Sequence, residues 1–228
     1  MNIKLIGALV IGLGGAAMLV SLGSWQLRRL DWKEAILTEI ETRIADAPVQ
    51  LPATPDAEAD TYLPVTVTGR FDSDTLRVLT SQKQIGAGYR LITGFDLGDR
   101  RIMVDRGFLP EGTPAPALPE GQVTVTGNLH WPDETDGFTP EPDLKADLWF
   151  ARDVQKMAGA LTTDPVLLVA KDTSFDPGPV SPLPVGTEGI PNDHLQYAIT
   201  WFSLAAIWLA MTGLLVYRTV RPAKGKET

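Results

Sequence analysis

The sequence predicts a membrane protein in which two transmembrane α-helices, one N-terminal and one C-terminal, flank an exported α+β, strand-rich domain. Two uncharged apolar stretches, Leu5 to Leu27 and Leu195 to Tyr217, enclose a central region of alternating β-branched strings, and a basic cluster follows the second stretch. Crossing a hydrocarbon core of ~30 Å takes about 20 residues at 1.5 Å per residue, so each stretch is long enough to span.

The first stretch has a basic start in Lys4, as a signal peptide would. Its apolar run exceeds the usual h-region, however, and no A-x-A-like site precedes Trp25-Gln26, so it reads as a retained anchor. Gly12-Leu-Gly14-Gly15-Ala16-Ala17 matches G-x-G-x-x-A, with Asp31 downstream where a ribose contact would stand. That fingerprint needs a strand, a tight turn and a second buried strand. Here the match lies inside one uncharged run followed by a charged helical segment, which makes it a decoy. Ala8, Gly12 and Ala16 recur every four residues, a spacing that lets another helix backbone approach, with the second span as the nearest candidate. Glycine and alanine are also common in membrane helices without such a role, and the residues alone leave both readings open.

Flanking charges orient the spans. Arg218, Arg221, Lys224 and Lys226 against a lone Glu227 form a basic tail that stays cytoplasmic by the positive-inside rule, and two spans then put the N-terminus on the same side. Arg28, Arg29 and Lys33 oppose this, but long domains translocate largely regardless of charge. The expected organisation is a cytoplasmic start and first span over 1–27, a periplasmic domain over 28–193, a second span over 194–217 and a cytoplasmic tail over 218–228.

Between Leu30 and Asp193 there are 13 Lys and Arg against 27 Asp and Glu, a net charge of −14. A surface so acidic excludes nucleic acid as a partner and repels anionic lipid. The chain has no cysteine, which excludes thiol catalysis, zinc ribbons and C-x-x-C-H haem attachment.

Within the exported part, Trp25 to Ile44 continues the first helix, with Ile36, Leu37, Ile40 and Ile44 at three- and four-residue spacing. Asp46 to Asp60, rich in Pro, Ala and acid, reads as a loop. Val65-Thr-Val-Thr-Gly-Arg70 returns almost unchanged as Val123-Thr-Val-Thr-Gly-Asn128, which predicts two similarly used strands in one sheet. Tyr89–Phe95 and Arg101–Arg106 flank Leu97-Gly-Asp-Arg100 as a hairpin, ended by Gly107-Phe108-Leu109-Pro110. Trp149 to Leu161 has helical character, Asp164-Pro165 opens a short apolar strand through Val169, and the Pro- and Gly-rich Pro177–Pro191 is extended.

Hydrolytic and metal chemistry are poorly supplied. There is no H-E-x-x-H, G-x-S-x-G or Walker loop, and only two histidines occur, His130 and His194. Asp133, Glu134 and Asp136 gather near His130, in a loop with Pro132 and Gly137 that reads as solvated. His194 stands at the exported end of the second span, with Tyr197, Trp201 and Trp208 on the same helical face. Imidazole on a face of flat rings suits a planar iron-bearing ligand, which it can coordinate axially. Tyr and Trp also anchor membrane interfaces, and a histidine there can cap the helix or bond headgroups. On these residues alone both readings stand.

Several blocks together carry a resemblance. Trp25-Gln26, Arg29 and Lys33, then Gly88-Tyr89 with Val104-Asp105-Arg106-Gly107-Phe108, then Asn192-Asp193-His194-Leu-Gln-Tyr197 with Thr200-Trp201-Phe202, are similar in identity and order to the signature blocks of the Surfeit locus protein 1 family. The resemblance implies a two-span assembly factor for haem-copper cytochrome c oxidase in the bacterial inner membrane, binding haem a and assisting its delivery to the catalytic subunit. It makes His194 the candidate axial ligand of the haem iron and Trp201 a candidate member of the haem-contacting face, while Trp25, Gln26 and Arg29 match the block after the first span. Tyr197, on the aromatic stripe, would shelter the ring, and Arg28 or Arg29 would neutralise propionates, since guanidinium pairs with carboxylate. An exposed Arg there can instead meet lipid phosphate. The implied partners are the oxidase catalytic subunit, the haem a synthesis machinery and membrane lipid. Two departures stand out: Gly94 where relatives carry proline, and Asp105 where they carry asparagine, both expected to touch only the domain surface. The alternative to a haem carrier is a cofactor-free scaffold that holds the catalytic subunit through small-residue faces and the acidic domain. An exported sensor is disfavoured by the 11 residues after Tyr217. No second ionisable group stands beside His194 on its membrane side, so no enzymatic turnover is expected.

Overall fold

In chain order, the computed structural model comprises α1 (Ile3–Ala45), β1 (Val49–Gln50), β2 (Pro64–Gln82), β3 (Gly86–Asp96), β4 (Arg101–Pro110), β5 (Val123–Leu129), β6 (Leu148–Trp149), α2 (Val154–Leu161), β7 (Leu167–Thr173) and α3 (His194–Val220). It describes residues 3–220, without the side chain of Lys4; of the basic tail, Arg221, Lys224, Lys226 and Glu227 lie outside the described residues. Two compact units result. One takes the chain up to Glu39 and from Glu188 onward, the other Ile40–Thr187.

The helical unit pairs the first part of α1 with α3. Both helices are long and apolar enough to cross a membrane. α1 runs unbroken for 43 residues, about 65 Å at helical rise, because its apolar first half gives way to an Ile36/Leu37/Ile40/Ile44 pattern with no Pro between them. The G-x-G-x-x-A string lies wholly inside it, with no strand or turn, so the dinucleotide reading has no structural basis.

The second unit is a closed barrel. β2 is long enough to serve two neighbours: Pro64–Gly69 pair antiparallel with β5, and Arg70–Gln82 with β3 across a bulge between Phe71 and Thr75. β3 and β4 form the predicted hairpin, β4 pairs parallel with β7, and β7 returns antiparallel to β5, closing the circuit β2-β3-β4-β7-β5. Among the described residues, only the two-residue strands β1 and β6 lie outside it, each parallel to β2. The twin Val-Thr-Val-Thr-Gly strings turn out to pair with each other, Val67 opposite Val125, with Thr66–Thr126 and Thr68–Thr124 hydroxyls joined at 2.9 Å.

Strand alternation sorts side chains between two cores. Val65, Val67, Phe95, Ile102, Val104, Val125, Leu129 and Leu168 form one cluster, while Leu76, Val78, Ile92, Met103, Leu167 and Val169 meet α2 through Val154, Met157, Ala158 and Leu161. The helix expected from Trp149 begins later. Asp153 caps α2, its carboxylate accepting from the Lys156 N–H at 3.0 Å, and Leu148–Trp149 are drawn instead into pairing with Arg77 and Val78. The second arm of the hairpin also runs on: Phe108 is fully buried and exchanges backbone hydrogen bonds of 2.7 and 2.8 Å with Ser181 of the extended return segment. Gly107 permits this, with φ of 113° and no room for a Cβ against the Ser181 carbonyl.

Two surface expectations are corrected by burial. Gly94 and Asp105 are interior, not superficial; Asp105 is 0% exposed, bonded to Arg90 at 2.5 Å and 3.6 Å from Arg152. The loop after His130 is not simply solvated either. Glu134 takes the Arg152 guanidinium at 2.5 Å and its backbone N–H at 3.0 Å. Burial opposes ionisation of Glu134, but the bonds from Arg152 outweigh it and hold the carboxyl below its ordinary range.

Candidate functional site

α1 and α3 run antiparallel, and the small residues of α1 make the contact. Gly12, Ala16 and Gly23 are buried on one face, opposite Ala198 and Ala205 of α3. At Gly15 a Cβ would come within 2.6 Å of the Trp208 indole nitrogen, and at Gly23 within 2.8 Å of the Phe202 ring. The Trp208 N–H donates to the Gly12 carbonyl at 2.9 Å, so a polar handle that hydrocarbon would leave unpaired is satisfied across the seam. The small-residue face thus serves the second span. Ala8 stands farther out, lining with Gly12, Trp208, Met211 and Leu215 an apolar cleft of about 330 Å³.

At the opposite end of the seam stands His194, the first residue of α3. It is half-buried, and its Nδ1 lies 2.8 Å from the Gln26 side-chain oxygen of α1. Gln26 itself is 9% exposed. Nδ1 is therefore committed to α1, and Nε2 has no protein partner among the described contacts. Two residues earlier, the Asn192 side-chain oxygen is buried without a hydrogen-bond partner.

The other predicted residues are placed unequally. Trp201, two turns along α3 from His194, is half-buried, whereas Tyr197 is 55% exposed. Trp208 is 14 residues, about 21 Å, along the helix from His194 and is spent in the seam. On α1, Arg29 is exposed and its guanidinium lies 3.8 Å from the centroid of the Trp32 ring, a cation–π contact. Trp25 and Trp32, about half exposed, share its face at three- and four-residue spacing. The structure brings His194 to Gln26 and leaves Arg29 paired with Trp32.

Gln26 is the residue that sequence reasoning undervalued. Its signal was there: a primary amide in an otherwise apolar span, continuing the register of Gly12, Ala16 and Gly23.

His130 belongs to the barrel. It stacks on Tyr62 at 5.6 Å between ring centroids, and its buried Nδ1 has no partner. Burial, reinforced by Arg152, pushes its pKa down to about 4. It is a neutral, packed imidazole. Among the described residues no group of three or more His, Asp or Glu could hold a metal ion.

A donor set of one imidazole with a free nitrogen, on an apolar helix pair with a half-buried indole beside it, fits axial ligation of a haem and fits no multidentate metal site.

Comparisons with known proteins find relatives over most of the chain. The profile of the SURF1 family matches residues 13–206. Surfeit locus protein 1 of Rattus norvegicus is 31% identical over 211 residues, covering 81% of this chain and 68% of its own length. The SURF1-like protein of Drosophila melanogaster is 32% identical, covering 87% and 73%, and that of Monosiga brevicollis is 34% identical, covering 83% and 80%. The family match runs from within α1 through the whole barrel into α3, and the chain belongs to the SURF1 family.

Proposed function

We propose that this protein is an assembly factor for haem-copper cytochrome c oxidase that binds haem a and assists its delivery to the catalytic subunit, without catalytic turnover of its own. α1 and α3 anchor it in the bacterial inner membrane as a multi-pass protein, with both termini cytoplasmic and the barrel periplasmic. Family membership supports the oxidase pathway. The observation that carries the cofactor is His194, held at the end of an apolar helix pair with one ring nitrogen tied to Gln26 and the other unpaired.

His194 would supply the axial nitrogen, Trp201 and Tyr197 the flat contacts beside it, and Arg29 the cation for a propionate. The Trp32 contact, worth about 0.5–1 kcal/mol at an exposed site, is no obstacle, because a guanidinium over a ring face keeps its in-plane N–H donors for a carboxylate. When bound, the haem supplies only a redox-active iron in transit; the chain's task is to hold it and to release it. The scaffold alternative loses one of its supports, because the Gly12/Ala16/Gly23 face is already occupied by α3.

The test is to purify the full chain from cells that make haem a and record its visible spectrum with and without His194→Ala. A haem a spectrum that disappears in the variant supports the reading. Equal haem content and an unchanged spectrum in both removes His194 as the ligand, and colourless wild-type protein favours the scaffold.

A further inference from the structure

Burying a primary amide in an apolar seam is unfavourable unless it is hydrogen-bonded, and Gln26 resolves this through one bond, to His194. The geometry of that bond has a chemical consequence. An amide oxygen has lone pairs and no proton, so it accepts from Nδ1 only when Nδ1 carries the hydrogen. In a neutral imidazole the lone pair then resides on Nε2. Free imidazole side chains in water prefer the opposite arrangement, with the proton on Nε2, which leaves no lone pair there for a metal.

We infer that Gln26 is the positioning residue of this site: its side-chain oxygen fixes His194 in the Nδ1–H tautomer and turns the ring so that the Nε2 lone pair points away from α1, ready to take iron. The inference rests on the reading that His194 ligates haem. Gln26 touches neither the iron nor the macrocycle. It acts through the ring, as the carbonyl partner of a metal-ligating histidine does, raising the basicity of the donor nitrogen and removing the need to reorient it on binding. The same bond also ties the start of α3 to α1, so that the ligand is presented only when the two helices are paired. Ser24, the other polar side chain nearby on α1, takes no part, its hydroxyl being satisfied by the Val20 carbonyl at 2.8 Å.

The experiment uses the full chain, labelled with 15N-histidine, in detergent or nanodiscs without haem. The chain has two histidines, and His130→Asn assigns their signals. Proton–nitrogen correlations through the ring distinguish a protonated nitrogen from one with a lone pair. The expected result is a protonated Nδ1 on His194 in the wild type, a shift of the proton toward Nε2 in Gln26→Leu, and retention on Nδ1 in Gln26→Glu, whose carboxylate also accepts. Haem a affinity should fall about 10- to 100-fold in Gln26→Leu and be restored in Gln26→Glu. The His130 signals and the hydrogen-bonded Trp208 indole proton, unmoved in each variant, show that barrel and seam are intact.

A lone pair on Nδ1 in the wild type, or a Gln26→Leu variant with the wild-type tautomer, overturns the inference. The two readings fail separately. If Gln26→Leu moves the proton while His194→Ala keeps its haem, Gln26 does position the ring but the ring is not the ligand. If His194→Ala loses haem while Gln26→Leu leaves the proton in place, the ligand stands and the positioning role falls.

Discussion

Asp105 lies between two guanidiniums, 2.5 Å from Arg90 and 3.6 Å from Arg152, with no exposure to solvent. Its other oxygen accepts the Gly107 N–H at 3.0 Å, so the carboxylate both balances two buried cations and holds the turn that leads Phe108 into the core.

Removing this carboxylate should therefore be severe. Asp105→Ala leaves Arg90 without its carboxylate, while Arg152 keeps Glu134, and is expected to cost about 3–5 kcal/mol, read as a lower midpoint in urea unfolding followed by far-UV circular dichroism. Asp105→Asn keeps the acceptor for Gly107 and should cost less. Equal losses in the two variants would refute the charge argument.

His130 makes stability depend on pH in one direction. Its folded pKa lies near 4, below the unfolded value of 6.5, so between these values the unfolded chain binds the proton and the folded chain does not. Stability is complete above pH 6.5 and declines as pH falls to about 4, by about 3 kcal/mol for this group. Replacing His130 with Phe, which can keep the stack on Tyr62, should flatten that limb of the pH–stability curve. An unchanged slope would assign it to other groups.

Space along the seam is tight at some glycines and open at others. Gly23→Leu drives a side chain into the Phe202 ring and should separate the helices locally, abolishing the Gln26–His194 bond, whereas Gly14→Leu enters open space and should not. The His194 ring nitrogen shifts report both. Identical spectra for the two variants would contradict the packing described.

The Trp208 indole offers a smaller perturbation. Trp208→Phe keeps a ring in the seam but removes the donor to Gly12, at a cost of about 0.6 kcal/mol and not above about 1.7 kcal/mol. Titration of the helix pair with denaturing detergent measures it, and a loss of several kcal/mol would mean that packing dominates over the bond.

What could be read in the residues was whatever repeats at short range. The apolar stretches, the Ile36–Ile44 periodicity, the hairpin about Gly98 and the twin Val-Thr-Val-Thr-Gly strings all took their expected forms, because each is dictated by neighbours along the chain. The second half of β2 escaped, since Asp72, Ser73 and Asp74 are poor strand formers that sit in the bulge, and the strand resumes past them only because Thr75–Gln82 pair with β3. Trp149 looked helical for the same reason. Closure of the barrel, the ion network of Arg90, Asp105, Arg152 and Glu134, and the contact between residues 26 and 194 depend on groups far apart in the chain, and no local pattern encodes them. Of the candidate site, the histidine was visible as a lone imidazole at a span boundary; its partner was visible only as a residue type in an odd place.

Because the sheet bends round to meet itself, the long strands pair largely with one another, and β1 and β6, two residues each, cover only short stretches of the free side of β2. A neighbouring polypeptide that adds a strand finds only a broken rail, along the part of β2 that β6 leaves uncovered. Most of the domain can therefore be recognised only by side chains and shape, which limits edge-to-edge zipping of copies into aggregates.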